Sequence, residues 1–249
     1  MKTTVIFLIL ILTGGIIRAQ DATEIIEKAE EKMRGESSRS EMQMKIIRPS
    51  WERTISFETW SKGTEYSMTL VTAPAKEEGQ TFLKRENELW QYDPTINRMI
   101  KLPPSMMSQG WMGSDFSNDD ILKESSLSKD YDHKILTEKT IDGTDVYKIE
   151  LLPKENAAVV WGKIIKWISK EEYLQLKSEY YDVDDYLIKT ETASDIKTMD
   201  GRVIPTHFEI IPADEEGNKT VMKIENTEFD IDIDNRFFSQ QNMKQLSRR

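Results

Sequence analysis

The sequence contains no cysteine and only two histidines, His133 and His207. The first absence excludes disulfides, thiolate metal sites, a cysteine nucleophile and a lipid-modified N-terminal cysteine. The scarcity of histidine excludes a histidine-rich metal centre. Positive charge is in the minority: 34 Lys and Arg against 44 Asp and Glu leave a net charge of -10. A polyanion would be repelled, so nucleic acid is not an expected partner. There is no glycine-rich phosphate loop and no nucleophile elbow, and neither histidine sits beside a serine or acid in a recognisable motif. No cofactor, no metal and no catalytic residue are expected. Long apolar runs are also missing, except at the start. There VIFLILIL (Val5–Leu12) follows Met1-Lys2 and precedes Thr13-Gly14-Gly15. A short basic end, an apolar run and a polar break make a secretory signal peptide, and the run falls short of the roughly 20 residues a membrane helix needs. Cleavage near Ala19 is expected. The chain then divides into a signal peptide, 1–19, and one exported soluble domain, 20–249.

What is present alternates. Asp21-Ala-Thr-Glu24 has the form of a capping box, and Ala22, Ile25, Ile26, Ala29 and Met33 recur at helical spacing up to Gly35. One amphipathic helix is expected there. The period then switches to two, through Met42, Met44 and Ile46, through Ile55 and Phe57, and through Tyr66, Met68 and Leu70. Further strand segments are expected at 81–84, 88–92, 98–102, 135–138, 145–151, 159–168, 174–181, 186–192, 203–211 and 220–229. Turn signals at Lys62-Gly63, Glu86-Asn87, Asp93-Pro94, Ile141-Asp142-Gly143, Asp200-Gly201 and Glu216-Gly217-Asn218 separate them. Strands at regular spacing without intervening helices argue one antiparallel sheet of about eleven strands. A sheet that wide should curl. Its concave apolar face needs a cover, and the N-terminal helix and the segment 103–127 are the candidates.

That segment contains SMMSQGWMGSDFSNDDIL (Ser105–Leu122), rich in methionine yet broken by glycines and acids. Seven of the eleven methionines beyond the leader, Met42, Met44, Met68, Met99, Met106, Met107 and Met112, lie between positions 40 and 112. Methionine adapts to irregular apolar shapes, which suits a cavity for acyl chains as well as ordinary core packing. The aromatics Phe57, Tyr66, Phe82, Trp90, Tyr92, Trp111 and Phe116 fall in the same half and complete the candidate lipid-binding set. Acidic clusters carry less. Asp230, Asp232 and Asp234 alternate like the start of an EF-hand, but Asn235 and Gln241 break the pattern, so a strand with a solvated acidic face is expected. Asp115, Asp119 and Asp120 are placed to cap a short helix through Ile121-Leu122.

The blocks TAPAKEEGQTFLK (Thr72–Lys84), WQYDP (Trp90–Pro94), MGSDFSNDD (Met112–Asp120), VVWGKIIKWI (Val159–Ile168) and NTEFDIDI (Asn226–Ile233) resemble the outer-membrane lipoprotein-sorting protein family of Gram-negative bacteria, the LolA-like branch. The resemblance implies a mainly β fold: a single, strongly curved antiparallel sheet, an incomplete β-barrel, with an N-terminal helix and a helical or loop lid over its apolar concave face. It implies a non-enzymatic, monomeric periplasmic carrier. Such a carrier shelters the acyl chains of lipoproteins or lipids and helps move them toward the outer membrane, between an inner-membrane transporter and an outer-membrane acceptor. Met112, Phe116 and the residues around them would form part of the mouth. Two other readings stay open. One is an accessory subunit of an inner-membrane lipid exporter of the RND type; the other is an enzyme on the same scaffold using acids near the mouth.

Overall fold

The computed structural model describes residues 21–86, 88–123, 127–141 and 143–248. The expected signal peptide, Asn87 of one turn signal and Asp142 of another lie outside them. Helix α1 (Ala22–Arg34) forms where the spacing places it. Asp21 caps it by accepting from the Thr23 N–H at 3.1 Å, and Gly35 ends it at φ +66°. Glu24 does not return a capping bond; its carboxylate pairs forward with Lys28 at 2.7 Å.

Among the described residues thirteen strands follow, two more than the expected eleven or so. They are β1 (Ser37–Arg48), β2 (Trp51–Lys62), β3 (Tyr66–Ala73), β4 (Thr81–Arg85), β5 (Glu88–Asp93), β6 (Arg98–Lys101), β7 (Tyr131–Ile141), β8 (Thr144–Pro153), β9 (Lys163–Ser169), β10 (Gln175–Tyr181), β11 (Leu187–Met199), β12 (Arg202–Pro212) and β13 (Lys219–Phe229). Every alternating segment joins the ladder, including the four residues of β6, because the Asp93–Arg98 turn returns it directly onto β5. The order is β6-β5-β4-β3-β2-β1-β13-β12-β11-β10-β9-β8-β7 in one antiparallel sheet. Two meanders thus meet at the β1–β13 pair. The sheet is curved and unclosed. Register shifts at Glu41/Met42, Ser56/Phe57, Ile135/Thr137, Gln175/Lys177 and Tyr180/Tyr181 mark the bends.

This order explains the methionine-rich segment. β6 is one margin of the sheet and β7 the other, so the chain between them must cross from margin to margin. It crosses the concave face as turns at Pro104–Met106 and Trp111–Gly113, a wide helical turn at Asp119–Lys123 and the short helix α2 (Leu127–Asp130). At the lid end Met107, Trp111 and Phe116 pack into Met44, Ile55, Phe57, Val71, Phe82, Ile210 and Met222. At the other end α1 lays Ile25, Ile26 and Ala29 on Ile149, Leu151, Ile164, Ile168 and Tyr180.

The opposite, convex face has a cover the sequence reading missed. β13 stops at Phe229, and Asp230 turns the chain at φ +53°. The acidic alternation beyond it is therefore not a strand. It is an extended segment that brings Ile231 and Ile233 down, then helix α3 (Gln240–Leu246), capped by Ser239. Phe238, Met243 and Leu246 are buried there against Trp60, Met68, Leu83 and Tyr92. Asp230 anchors the segment by pairing with Arg202 at 2.5 Å and accepting from the Glu36 N–H at 2.9 Å.

Candidate functional site: a lidded hollow

Between the lid and α1 a cavity of about 320 Å³ remains. Met42 of β1, Phe57 of β2, Phe116 of the lid, Phe208 of β12, and Met222 and Ile224 of β13 supply its apolar wall. The cavity runs to Met33 and Arg34 at the end of α1 and to Gly63 and Thr64 in the β2–β3 turn.

Three cations hold the lid. Arg48 grips Asp115 through two parallel bonds of 2.9 and 3.0 Å, with the two side chains only 13% and 8% exposed. Such a bidentate pair is strong and directional. Thr220 donates its hydroxyl to the same carboxylate at 2.6 Å. Arg53 donates to the Met112 carbonyl, and Lys189 pairs with Asp120 and donates to the Asp115 carbonyl at 3.1 Å. Trp161 donates its indole N–H to Asp120 at 3.3 Å. The lid also pairs with itself. The Trp111 N–H donates to the Phe116 carbonyl at 2.7 Å, and Ser117 and Asp120 cap each other reciprocally at 2.7 and 3.1 Å. Capping of the Ile121 turn, expected from the acids, thus falls to Ser117, and Asp120 returns the bond to the Ser117 N–H. Gly110 lacks room for any side chain, since a Cβ there would strike the Ser114 carbonyl. Gly113 sits at φ +80° and Met112 at φ +52°. These glycines serve a tight turn that already has its shape.

The candidate lipid-binding residues separate into three groups. Met42, Phe57 and Phe116 line the cavity. Tyr66 borders it, but its ring packs across the sheet on Phe238 at 5.5 Å, in the convex cluster. Met44, Phe82, Met107 and Trp111 are buried in the packed cluster beneath the lid, with Met106 and Met112 against it. There the Trp111 ring meets Phe57 at 5.1 Å and Phe82 at 5.6 Å, edge to face. Met68, Trp90, Tyr92 and Met99 lie across the sheet, in the convex cluster with Phe238 and Met243. Their register explains it: Trp60, Met68, Leu83 and Trp90 pair in one row, one residue out of phase with Phe82 on β4.

Sequence reasoning missed the polar half of the cavity. Lys166, 2% exposed, donates to the Gln175 side-chain oxygen at 2.6 Å and to the Ser178 hydroxyl at 3.1 Å. Gln175 in turn donates to Glu191 at 3.2 Å, and Tyr180 donates to the same carboxylate at 3.1 Å. Burial lowers Lys166 to about 8, partly opposed by Glu191, Glu30 and Asp120. Burial, with Glu191 next, raises Tyr180 well above the usual phenol range, and burial followed by Asp119 does the same for Tyr131. The signal was legible in Ile164-Ile-Lys-Trp-Ile168, where a lysine occupies the strand face that carries Ile164 and Ile168. Among the described residues no cluster of three His, Cys, Asp or Glu could hold a metal ion, and no helix is long and apolar enough to cross a membrane.

Comparisons place this architecture among known ones. A DUF1329 family protein from Desulfovibrio piger superposes with a TM-score of 0.82 at 26% identity, over 89% of this chain and 97% of that one. A LolA superfamily protein from Nitrosomonas europaea does so at 0.79 and 26%, over 90% and 100%. An outer membrane lipoprotein-sorting protein domain from Vibrio parahaemolyticus gives 0.79 at 21%, over 90% and 100%, a likeness of fold. No curated protein matches the sequence. A family model described as "Uncharacterized protein" matches residues 63–245. The chain belongs to that family of uncharacterized proteins, and its open, lidded barrel is the LolA-like fold.

Proposed function

We propose that this chain is an exported, non-enzymatic carrier that shelters an acyl chain of a lipoprotein or lipid on its way toward the outer membrane. The observation that carries the reading is the hollow itself: a curved sheet, a crossover lid and about 320 Å³ of unfilled space between lid and α1. That volume lies at the lower end of ligand pockets and suits one chain better than several. The LolA superfamily and lipoprotein-sorting relatives support the same use of the fold. Residues 1–19 act as the leader, residues 20–249 work as one monomeric unit, and the carrier works in the periplasm. Met42, Phe57 and Phe116 touch the chain directly; Met44, Phe82, Met106, Met107, Trp111 and Met112 shape the lid over it. Burying about fourteen carbons at roughly 0.8 kcal/mol each offers on the order of 10 kcal/mol gross. Part of this is offset by ordering the lid, which keeps release feasible. Asp115 and Asp120, the acids an enzyme would use, are spent on Arg48 and Lys189. Native mass spectrometry of protein taken from its own periplasm should show a bound lipid mass, and the emptied protein should take up a fluorescent fatty acid about one to one. Bare protein that takes up none defeats the reading.

A second reading, docking on an inner-membrane exporter, draws on one observation. Trp51, Val183, Tyr186 and Ile211 are exposed apolar side chains at the end of the sheet where β1 turns into β2, β10 into β11 and β12 into β13. A photo-crosslinker at Tyr186 in intact cells should then capture a membrane protein; capture of lipid alone removes this reading.

A further inference from the structure

The polar half of the cavity is not accounted for by a carrier of bare hydrocarbon. An ammonium has three hydrogens to donate. Lys166 gives two of them to neutral acceptors, Gln175 and Ser178, and among the described residues no carboxylate lies within ion-pair distance of it. A buried charge is normally paired. The nearby acids are already engaged: Glu191 accepts from Gln175 and Tyr180, Asp120 from Lys189 and Trp161, and Glu30 from the Leu127 N–H. The hollow thus holds a desolvated cation with a hydrogen to spare, while its anions have donors. The apolar wall of Met42, Phe57, Phe116 and Met222 completes a space greasy on one side and polar on the other, with the Lys166 ammonium within the polar side.

We propose that the cavity selects amphiphiles with an acid headgroup, and that the Lys166 ammonium receives an oxygen of that group while the chain lies along the Met42–Phe116 wall. The proposal rests on the carrier reading and adds the headgroup to it. The shared chemistry is an anionic oxygen, supplied by the carboxylate of a fatty acid or the phosphate of a monoacyl lipid. Its low-dielectric surroundings strengthen the contact with an anion over one with a neutral ester.

The test uses delipidated protein at pH 7 and three ligands of equal chain length: tetradecanoic acid, tetradecyl phosphate and methyl tetradecanoate. Calorimetry should show at least one of the acids binding tenfold or more tightly than the ester. Whichever acid binds tighter identifies the source. Lys166→Met should weaken the acids to the level of the ester and leave the ester unchanged. Equal affinity for acids and ester in the unsubstituted protein overturns the proposal, and that comparison stands even if the variant fails to fold. A preference that survives in the variant overturns it too. Failure of all three ligands to bind sinks the carrier reading itself, so the two failures are distinguishable.

Discussion

At the scale of single residues, Lys166 ties stability to pH. In the unfolded chain it titrates near 10.5, in the native protein at about 8. Between those values the unfolded chain holds one proton more than the native one, so stability rises with pH. Below pH 8 the buried charge costs up to about 3 kcal/mol, and the cost is relieved as the pH climbs. Above about pH 10 the slope reverses. Tyr131 and Tyr180 are held neutral in the native protein, by burial first, while their unfolded counterparts ionise. Urea titrations should therefore give an unfolding free energy that increases from pH 8 to a maximum near 10, and Lys166→Met should lack the increase. A variant that keeps it would place the titrating group elsewhere. Gly110 makes a second residue-scale case. Gly110→Ala drives a methyl into the Ser114 carbonyl and should lower stability by roughly 1–3 kcal/mol, read as a shifted denaturation midpoint at unchanged slope.

At the scale of elements, the lid is fixed to the sheet by charge and to the core by Trp111. Removing one member of the Arg48–Asp115 pair strands the other in a largely buried place, so Asp115→Asn should cost about 3–5 kcal/mol. Hydrogen exchange should quicken first in 104–121, and the Arg48→Met, Asp115→Asn double variant should recover part of the loss. An enzyme reading would require turnover lost with the fold intact. The convex cover gives the complementary test. Phe238→Ala should cost about 3–5 kcal/mol and leave fatty-acid uptake by the folded protein unchanged, because Phe238 and the cavity lie on opposite faces. Uptake lost at 20 °C, where the variant is still folded by circular dichroism, would place the ligand on the other side.

Much of this was legible before any coordinates. Alternation, apolar runs and turn signals marked a segment in each of the thirteen strands, though the sheet was expected to hold about eleven, and Asp21 and Gly35 bounded α1, because these signals are local. The lid was legible as an irregular apolar stretch, but its route was not, since it follows from β6 and β7 being opposite margins. Alternation alone also could not say which face is hollow. Met68 and Trp90 looked as eligible as Met42 and Phe57 until the register put them under α3. Phe237-Phe238 and Met243 carried the signal for that cover, but seven helical residues are too few to show a stripe. Lys166 was passed over because a strand lysine is normally solvated, and only the curvature of the sheet buries it.

At the scale of the whole molecule, one ladder runs unbroken from β6 to β7, and the two meanders share the β1–β13 pair along ten registered residues. A change at either margin therefore loads the same backbone network. Calorimetry should record a single unfolding transition, with van't Hoff and calorimetric enthalpies agreeing; two resolved transitions would mean the halves fold apart. The covering segment belongs to this scale as well, for it is attached at both rims. It cannot swing like a door on one jamb. It arches over the hollow as a handle arches over a basket, so cargo of the proposed carrier would have to slip out beneath the handle, sideways, with the middle of the span lifted.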